Sequence, residues 1–298
     1  MAFDLTGPVV AVRVLAGPVA NALQKDLTRR SAHPLFVVGA THALLTLACV
    51  PLVARLPVPT GVAFWGNMLV AGVLAVTGNT LLVRALERGD LSVLGPLNAY
   101  KPVISLVLGI FLLGELPTAF GVAGVGLIIA GSYLVLDREP ETPRRSAFAR
   151  FARDDGVRLR FAALALSATE AVFLKRALLL SSPITTFAFW CVLGLPIALL
   201  AVAVLLRGRA GREVAGARGR AGTYVSLALS TGLMQLTTLL AFGALQVGYA
   251  LALFQLSALV SVFLGHRYFS ERGIRRRLLG ALVMVVGAVS IVTFGNRR

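Results

Sequence analysis

The sequence predicts an all-α, polytopic membrane protein with ten transmembrane helices in two inverted five-helix repeats, and three observations carry that prediction. Residues from the AVILMFWYC set make up 57% of the 298 positions, charged residues only 14%, and mean hydropathy is +0.83; soluble chains carry roughly 25% charged residues. The apolar residues recur in blocks close to the ~20 residues that a helix needs to cross a hydrocarbon core of about 30 Å. Finally, the second half of the chain echoes the first in register.

Several classes are set aside on the same grounds. Open sheets leave unpaired edges in lipid, and the blocks lack the alternation of a membrane barrel. A net charge of +16 suggests nucleic acid only if the basic residues form one face, and here they sit in short connections between apolar blocks; nucleic acid is not an expected partner. Cys49 and Cys191 each lie inside an apolar block, which argues against a disulfide framework or a reactive thiol. The first block lacks a basic leader and carries Asp4 before it, so it reads as a retained span in a membrane, a bacterial inner membrane by expectation.

Taken in order, the blocks run approximately 8–27, 34–54, 62–84, 91–113, 118–136, 160–181, 184–206, 222–244, 248–269 and 277–294. The first is the weakest because it holds Arg13, Asn21 and Gln24, and without it nine spans remain. The second carries Thr41, His42 and Thr46, the third Asn67 and Asn79, and the fourth Asn98, Lys101 and Ser105 with Pro96 and Pro102. The fifth is rich in glycine and, like the seventh and tenth, nearly bare of polar groups. The sixth holds Ser167 and Glu170, the eighth Thr231, Gln235 and Thr238, and the ninth Gln255, Ser257 and Ser261.

The fifth block is followed by a long arginine-rich connection that divides the chain almost in half, which gives a first repeat over 1–136, a linker over 137–159 and a second repeat over 160–298. Ser105, Gly109, Glu115, Gly124 and Gly131 recur as Ser261, Gly265, Glu271, Gly280 and Gly287 at one constant offset, and ALERG from Ala85 parallels ALQVG from Ala244. Five spans per half is an odd number, so the second copy enters the membrane from the opposite side.

The run ALERGDLSVLGPLNAYKPVISLVLGIFLLGELPTAFGVAGVGLIIAGSYLVL resembles the EamA repeat of the drug/metabolite transporter superfamily, and the second half repeats it more loosely through YFSE and GALVMVVGAVSIV. The resemblance covers nearly the whole chain. It implies a ten-helix transporter whose central cavity is formed by the first, third and fourth helices of each repeat. It leaves the substrate open, since members of the superfamily carry amino acids, sugars, nucleotides and drugs.

The residues point the same way on their own. An outward polar group is costly in lipid, so polar stripes at helical spacing face a cavity or another helix. Arg13, Gly17, Asn21 and Gln24 form one such stripe; Asn98, Lys101 and Ser105, Ser167 and Glu170, and Thr231, Gln235 and Thr238 form others. The expected lining is therefore blocks 1, 3, 4, 6, 8 and 9. Thr41, His42 and Thr46 in block two have no place in this scheme.

Lys101 and Glu170 are the sharpest candidates, because an ionised side chain at depth costs about 2.5–3.5 kcal/mol on insertion scales and must find a partner, water or neutrality. Lys101 is the candidate for binding an anionic group, and Glu170 for binding a cationic group or exchanging a proton; a fixed pair between packed helices is the bland alternative. Asn98, Asn21, Gln24, Gln235, Gln255 and Ser105 complete the predicted substrate-binding set. Pro96 and Pro102 remove helix donors around Asn98 and predict a break there. Glu115 and Glu271, at block ends, are expected to anchor the next helix by accepting its free N–H groups. Tyr249 reads as a gate or an anchor. Trp65 and Trp190 fit an interfacial belt. No cofactor is expected, and the histidines lack the spacing of a metal site.

The resulting expectation is a secondary transporter that moves a small polar or amphipathic metabolite, amino-acid-like or drug-like, by alternating access, as a monomer or homodimer amid membrane lipids. No Walker motif is present to couple it to ATP. A receptor or scaffold and an intramembrane enzyme are the rival classes; the enzyme would need a cluster of nucleophile, acid and base. For orientation, the connections on one side of the membrane hold 22 of the 29 basic residues. The positive-inside rule then puts both termini outside, whereas the family resemblance implies cytoplasmic termini; the charge asymmetry is the stronger argument.

Overall fold

The computed structural model describes residues 6–88, 100–136, 155–206, 208–257, 260 and 274–295. Among these the chain is helical, with no strand. Ten apolar helices follow one another: α1 (Thr6–Arg29), α2 (Pro34–Val53), α3 (Val62–Arg88), α4 (Lys101–Leu113), α5 (Ala119–Leu136), α6 (Asp155–Leu179), α7 (Pro183–Leu205), α8 (Ala221–Ala244), α9 (Val247–Leu253) and α10 (Ile274–Ser290). A short surface helix, Ala210–Arg218, interrupts the α7–α8 connection. The sequence did not announce it.

Proline and hydroxyl chemistry set several starts. Pro34 opens α2 behind His33, whose Nδ1 accepts the Leu35 N–H at 3.2 Å. Pro183 opens α7 behind Ser182, whose hydroxyl accepts the Thr185 N–H at 3.1 Å. Proline is suited to a first turn because its missing N–H is one of the donors left unpaired there.

Among the described residues five helices, α1, α2, α3, α7 and α8, are long and apolar enough to cross a membrane. The weak first block thus forms a full-length helix of 24 residues. The described apolar parts of α4, α5, α9 and α10 are shorter, and α6 is long but carries several charges. The outer surface is apolar: Val62, Phe111, Leu116 and Leu47 are at least 74% exposed. Large exposed apolar side chains in such number mark a lipid-facing exterior.

Helix pairing is regular. The principal packings are α1 on α8, α2 on α7, α3 on α6, α4 on α9 and α5 on α10. The α5–α10 seam is built from glycine. A Cβ at Gly124 would lie 2.8 Å from the Gly287 carbonyl oxygen, and one at Gly131 would lie 2.6 Å from that of Gly280. The two helices are therefore antiparallel and in backbone contact, which only small residues allow. Gly126 faces open space and has no part in the seam.

Contacts between connections sort the ends of the bundle. Glu213 on the surface helix accepts the His33 N–H at 3.1 Å, and Arg220 donates to the Arg30 carbonyl at 2.8 Å, so the α7–α8 connection folds over the α1–α2 turn. The α4–α5 turn meets the α8–α9 turn at the other end, where the Gln246 amide donates to the Leu116 carbonyl at 3.0 Å.

Lys175 corrects the charge count used for orientation. Near the end of the sixth block, it falls by position with the sparse basic residues of the opposite side, but it lies buried inside α6. A linear count cannot separate a lysine near a helix end from one folded under the neighbouring turn.

Candidate functional site

Two polar groupings lie between the helices, one inside the bundle and one at the end formed by the α4–α5 and α8–α9 turns. The inner one gathers on α1, α4, α6, α7 and α8. Lys101 is the first residue of α4 and is followed by Pro102; the part of the predicted fourth block before Tyr100 lies outside the described residues. Lys101 and Glu170 are both half-buried and lie within electrostatic reach of each other, with Arg13 and Arg160 also close enough to act on Lys101. Glu170 accepts a hydrogen bond from the Trp190 indole N–H at 3.3 Å. Trp190 in turn packs its ring 4.9 Å from that of His42, and His42 sits directly over Gly194. A chain of contacts thus runs from α2 through α7 to α6 and α4. It gives His42 a place that sequence reading could not, and makes Trp190 a buried contact of Glu170, not an interfacial anchor.

Arg13 holds the α1 side of this grouping. Its Nε donates to the Thr238 hydroxyl at 2.7 Å, and its guanidinium carbon lies 4.7 Å from the centre of the Phe254 ring. Phe254 opens the 3₁₀ turn Phe254–Leu256 that follows α9. Under the repeat offset, that turn corresponds to the positions immediately before Lys101. Of those positions only Tyr100, the counterpart of Leu256, lies among the described residues.

The remaining predicted residues fall in different settings. Gln24 is buried and donates to Asn79 on α3 at 3.3 Å. Gln235 and Thr231 are buried on the same face of α8 as Thr238, and neither the Gln235 Nε2 nor the Thr231 hydroxyl has a partner among the described residues. The buried Gln255 amide reaches the Leu251 carbonyl only at 3.5 Å. Ser105 is fully buried and donates to the Ala168 carbonyl at 3.3 Å, which ties α4 to α6. Asn21 is exposed. Asn98, Pro96, Ser261, His266 and Glu271 lie outside the described residues. Thr46 donates to the Cys191 carbonyl at 2.9 Å, binding α2 to α7, and Cys49 and Cys191 are buried free thiols.

The second grouping is a clasp. Glu115 follows α4 and its Oε2 accepts the Val247 N–H at 2.9 Å. It does anchor a helix start, but that of α9 in the other half instead of α5 next to it. Its Oε1 lies 3.9 Å from Lys175 Nζ, which also donates to the carbonyls of Phe242 and Leu245, the latter at 3.1 Å. Those carbonyls belong to the last turn and C-cap of α8, where a cation also meets the negative end of the helix dipole. Tyr249 completes the clasp: its hydroxyl accepts the Thr118 N–H at 2.9 Å and fills the space against Gly121. Lys175 as the partner of Glu115 was not legible from sequence, because 60 residues separate the two.

The described residues hold no group of three or more His, Cys, Asp or Glu placed for a metal ion.

A helical bundle with an apolar exterior and charged groups held between its helices has the make-up of an integral membrane protein. Residues 19–137 match the model of the EamA-like transporter family. That family is part of the drug/metabolite transporter superfamily, and the match covers less than half of the chain. No curated protein matches the chain. Among solved structures, one described as "Crystal structure of protein" has a TM-score of 0.65 over 96% of this chain and 98% of its own, at 16% identity. At that identity the likeness concerns the fold alone.

Proposed function

We propose that this chain is a secondary transporter that moves a small polar or amphipathic metabolite by alternating access, using ten spans in two inverted repeats, 1–136 and 160–298, joined by the arginine-rich linker 137–159. The observation that carries the reading is the placement of Lys101 and Glu170, opposite charges on α4 and α6 held between helices and backed by Trp190. A substrate or proton that disturbs such a pair shifts the balance between conformations by the difference in its interaction with each.

The helix pairings support the inverted arrangement. Exchanging each helix with the one five places along turns α1–α8 into α6–α3 and leaves α2–α7, α4–α9 and α5–α10 unchanged. The glycine contacts obey the same exchange: Gly124 with Gly287 becomes Gly280 with Gly131. The predicted breaks at Pro96 and Pro102 lie next to Lys101, and binding sites of inverted-repeat transporters form at such discontinuous helices. The Glu115–Lys175 clasp, which joins elements of both halves at one end, then serves as the closed gate of this conformation, with the arginine-rich connections at the opposite, cytoplasmic end.

Reconstitution tests the reading. Proteoliposomes containing the chain should accumulate a solute from a panel of amino acids and amphipathic drugs, and Lys101→Ala should weaken its binding. Accumulation no greater than in empty vesicles across the panel counts against transport, and unchanged affinity in Lys101→Ala assigns the pair to packing.

A further inference from the structure

We infer that Arg13 is the anchor of a carboxylate-binding site, so that the molecule this chain takes is a small organic acid. The inference rests on the transporter reading for its setting, but its chemistry comes from Arg13 itself. Arginine carries five N–H donors in a planar fork and no acceptor. One of them, on Nε, is engaged by the neutral Thr238 hydroxyl, and the guanidinium carbon lies over the Phe254 ring, 4.7 Å from its centre. The ring attracts the cation without using any of its N–H donors, which leaves the Nη donors to a ligand. Nη1 lies so near Gly17 that a Cβ there would be 2.7 Å away, so the helix is thinned where the guanidinium lies.

Charge does not balance at this site. Among the described residues, no carboxylate contacts Arg13, and the ionic group close enough to interact with it is Lys101, another cation. The one nearby acid, Glu170, faces Lys101 and the Trp190 indole. Among the described residues, Arg13, Lys101 and Glu170, even before counting Arg160 beside Lys101, hold more positive than negative charge between membrane helices, where an isolated charge is costly. The surrounding polar groups supply donors. Gln235 lies one helical turn from Thr238 on the face that packs on α1, is 7% exposed, and its Nε2 has no acceptor among the described residues. A carboxylate supplies what is missing: one negative charge, acceptors only, and two coplanar oxygens that fit the guanidinium fork.

The test uses the full-length protein in detergent micelles at fixed ionic strength, with hexanoate and benzoate each compared with its amide, hexanamide and benzamide. The acids should raise the thermal unfolding midpoint and the amides should not. Arg13→Gln should weaken acid binding at least about tenfold, the loss expected for a charge-assisted hydrogen bond, with Arg13→Lys in between. Gly17→Ala, which keeps the charge but displaces the guanidinium, should weaken it too. The inference is overturned if neither acid binds, if the amides bind equally, or if Arg13→Gln binds the acids unchanged. Uptake of radiolabelled benzoate into proteoliposomes separates the two readings. Acid binding that depends on Arg13 without uptake upholds the site and removes transport. Uptake of neutral or cationic solutes that is indifferent to Arg13→Gln keeps transport and removes the site.

Discussion

Lys175 and Glu115 offer the most direct measurement of how the two halves are held together at the clasp. Their side chains are 8% and 15% exposed, and the ammonium bridges two carbonyls of α8 to a carboxylate that also caps α9. Deleting one partner of a fully buried pair costs about 3–5 kcal/mol; the 3.9 Å separation and slight exposure place Glu115→Gln at about 2–3 kcal/mol. Glutamine keeps an acceptor for the Val247 N–H, so the loss reports the charge. Lys175→Met also strips donors from the Phe242 and Leu245 carbonyls, at about 1 kcal/mol each, for a total of about 4 kcal/mol. The double variant should be no less stable than Lys175→Met alone, which makes the coupling at least about 2 kcal/mol. Unfolding in mixed micelles with a rising SDS fraction measures all four proteins. Strictly additive losses would refute the clasp as a coupled unit.

Three further outcomes are expected. Gly131→Leu drives a side chain into the Gly280 carbonyl and should destabilise by more than about 2 kcal/mol, whereas Gly126→Leu, with nothing within 4 Å, should be nearly neutral in the same unfolding assay. Purified Glu170→Gln should lose uptake driven by a pH gradient while keeping equilibrium exchange, and full gradient-driven uptake would remove Glu170 from proton coupling. Reporter fusions at the C-terminus should be active outside the cytoplasm; a cytoplasmic signal overturns the charge-based orientation or the span count.

Helix positions were legible because lipid imposes a length and forbids unpaired backbone, so blocks such as 34–54 and 222–244 came within one or two residues of Pro34–Val53 and Ala221–Ala244. The interhelical proximity of Lys101 and Glu170 was legible for a related reason: two opposite charges in apolar surroundings have few ways to be tolerated. Partners distant in sequence were not. Nothing local tells that Glu115 reaches Val247 and not α5, that Lys175 folds beneath the end of α8, or that Trp190 turns to Glu170. Arg13 stood on a recognised polar stripe, yet its position over Phe254 depends on α1 meeting the turn after α9, a contact across 241 positions. The helix Ala210–Arg218 escaped because it is too polar for a span and too short to show a strong period.

The glycine seam has a consequence beyond this one polypeptide. Its contacts are reciprocal, so the ridge that α5 offers is the mould into which its own counterpart settles, and two detached half-length molecules lying head to tail could lock along the same line. Tethering them through the stretch after residue 136 replaces an encounter between strangers with one between residents of a single strand, which frees the assembly from dilution.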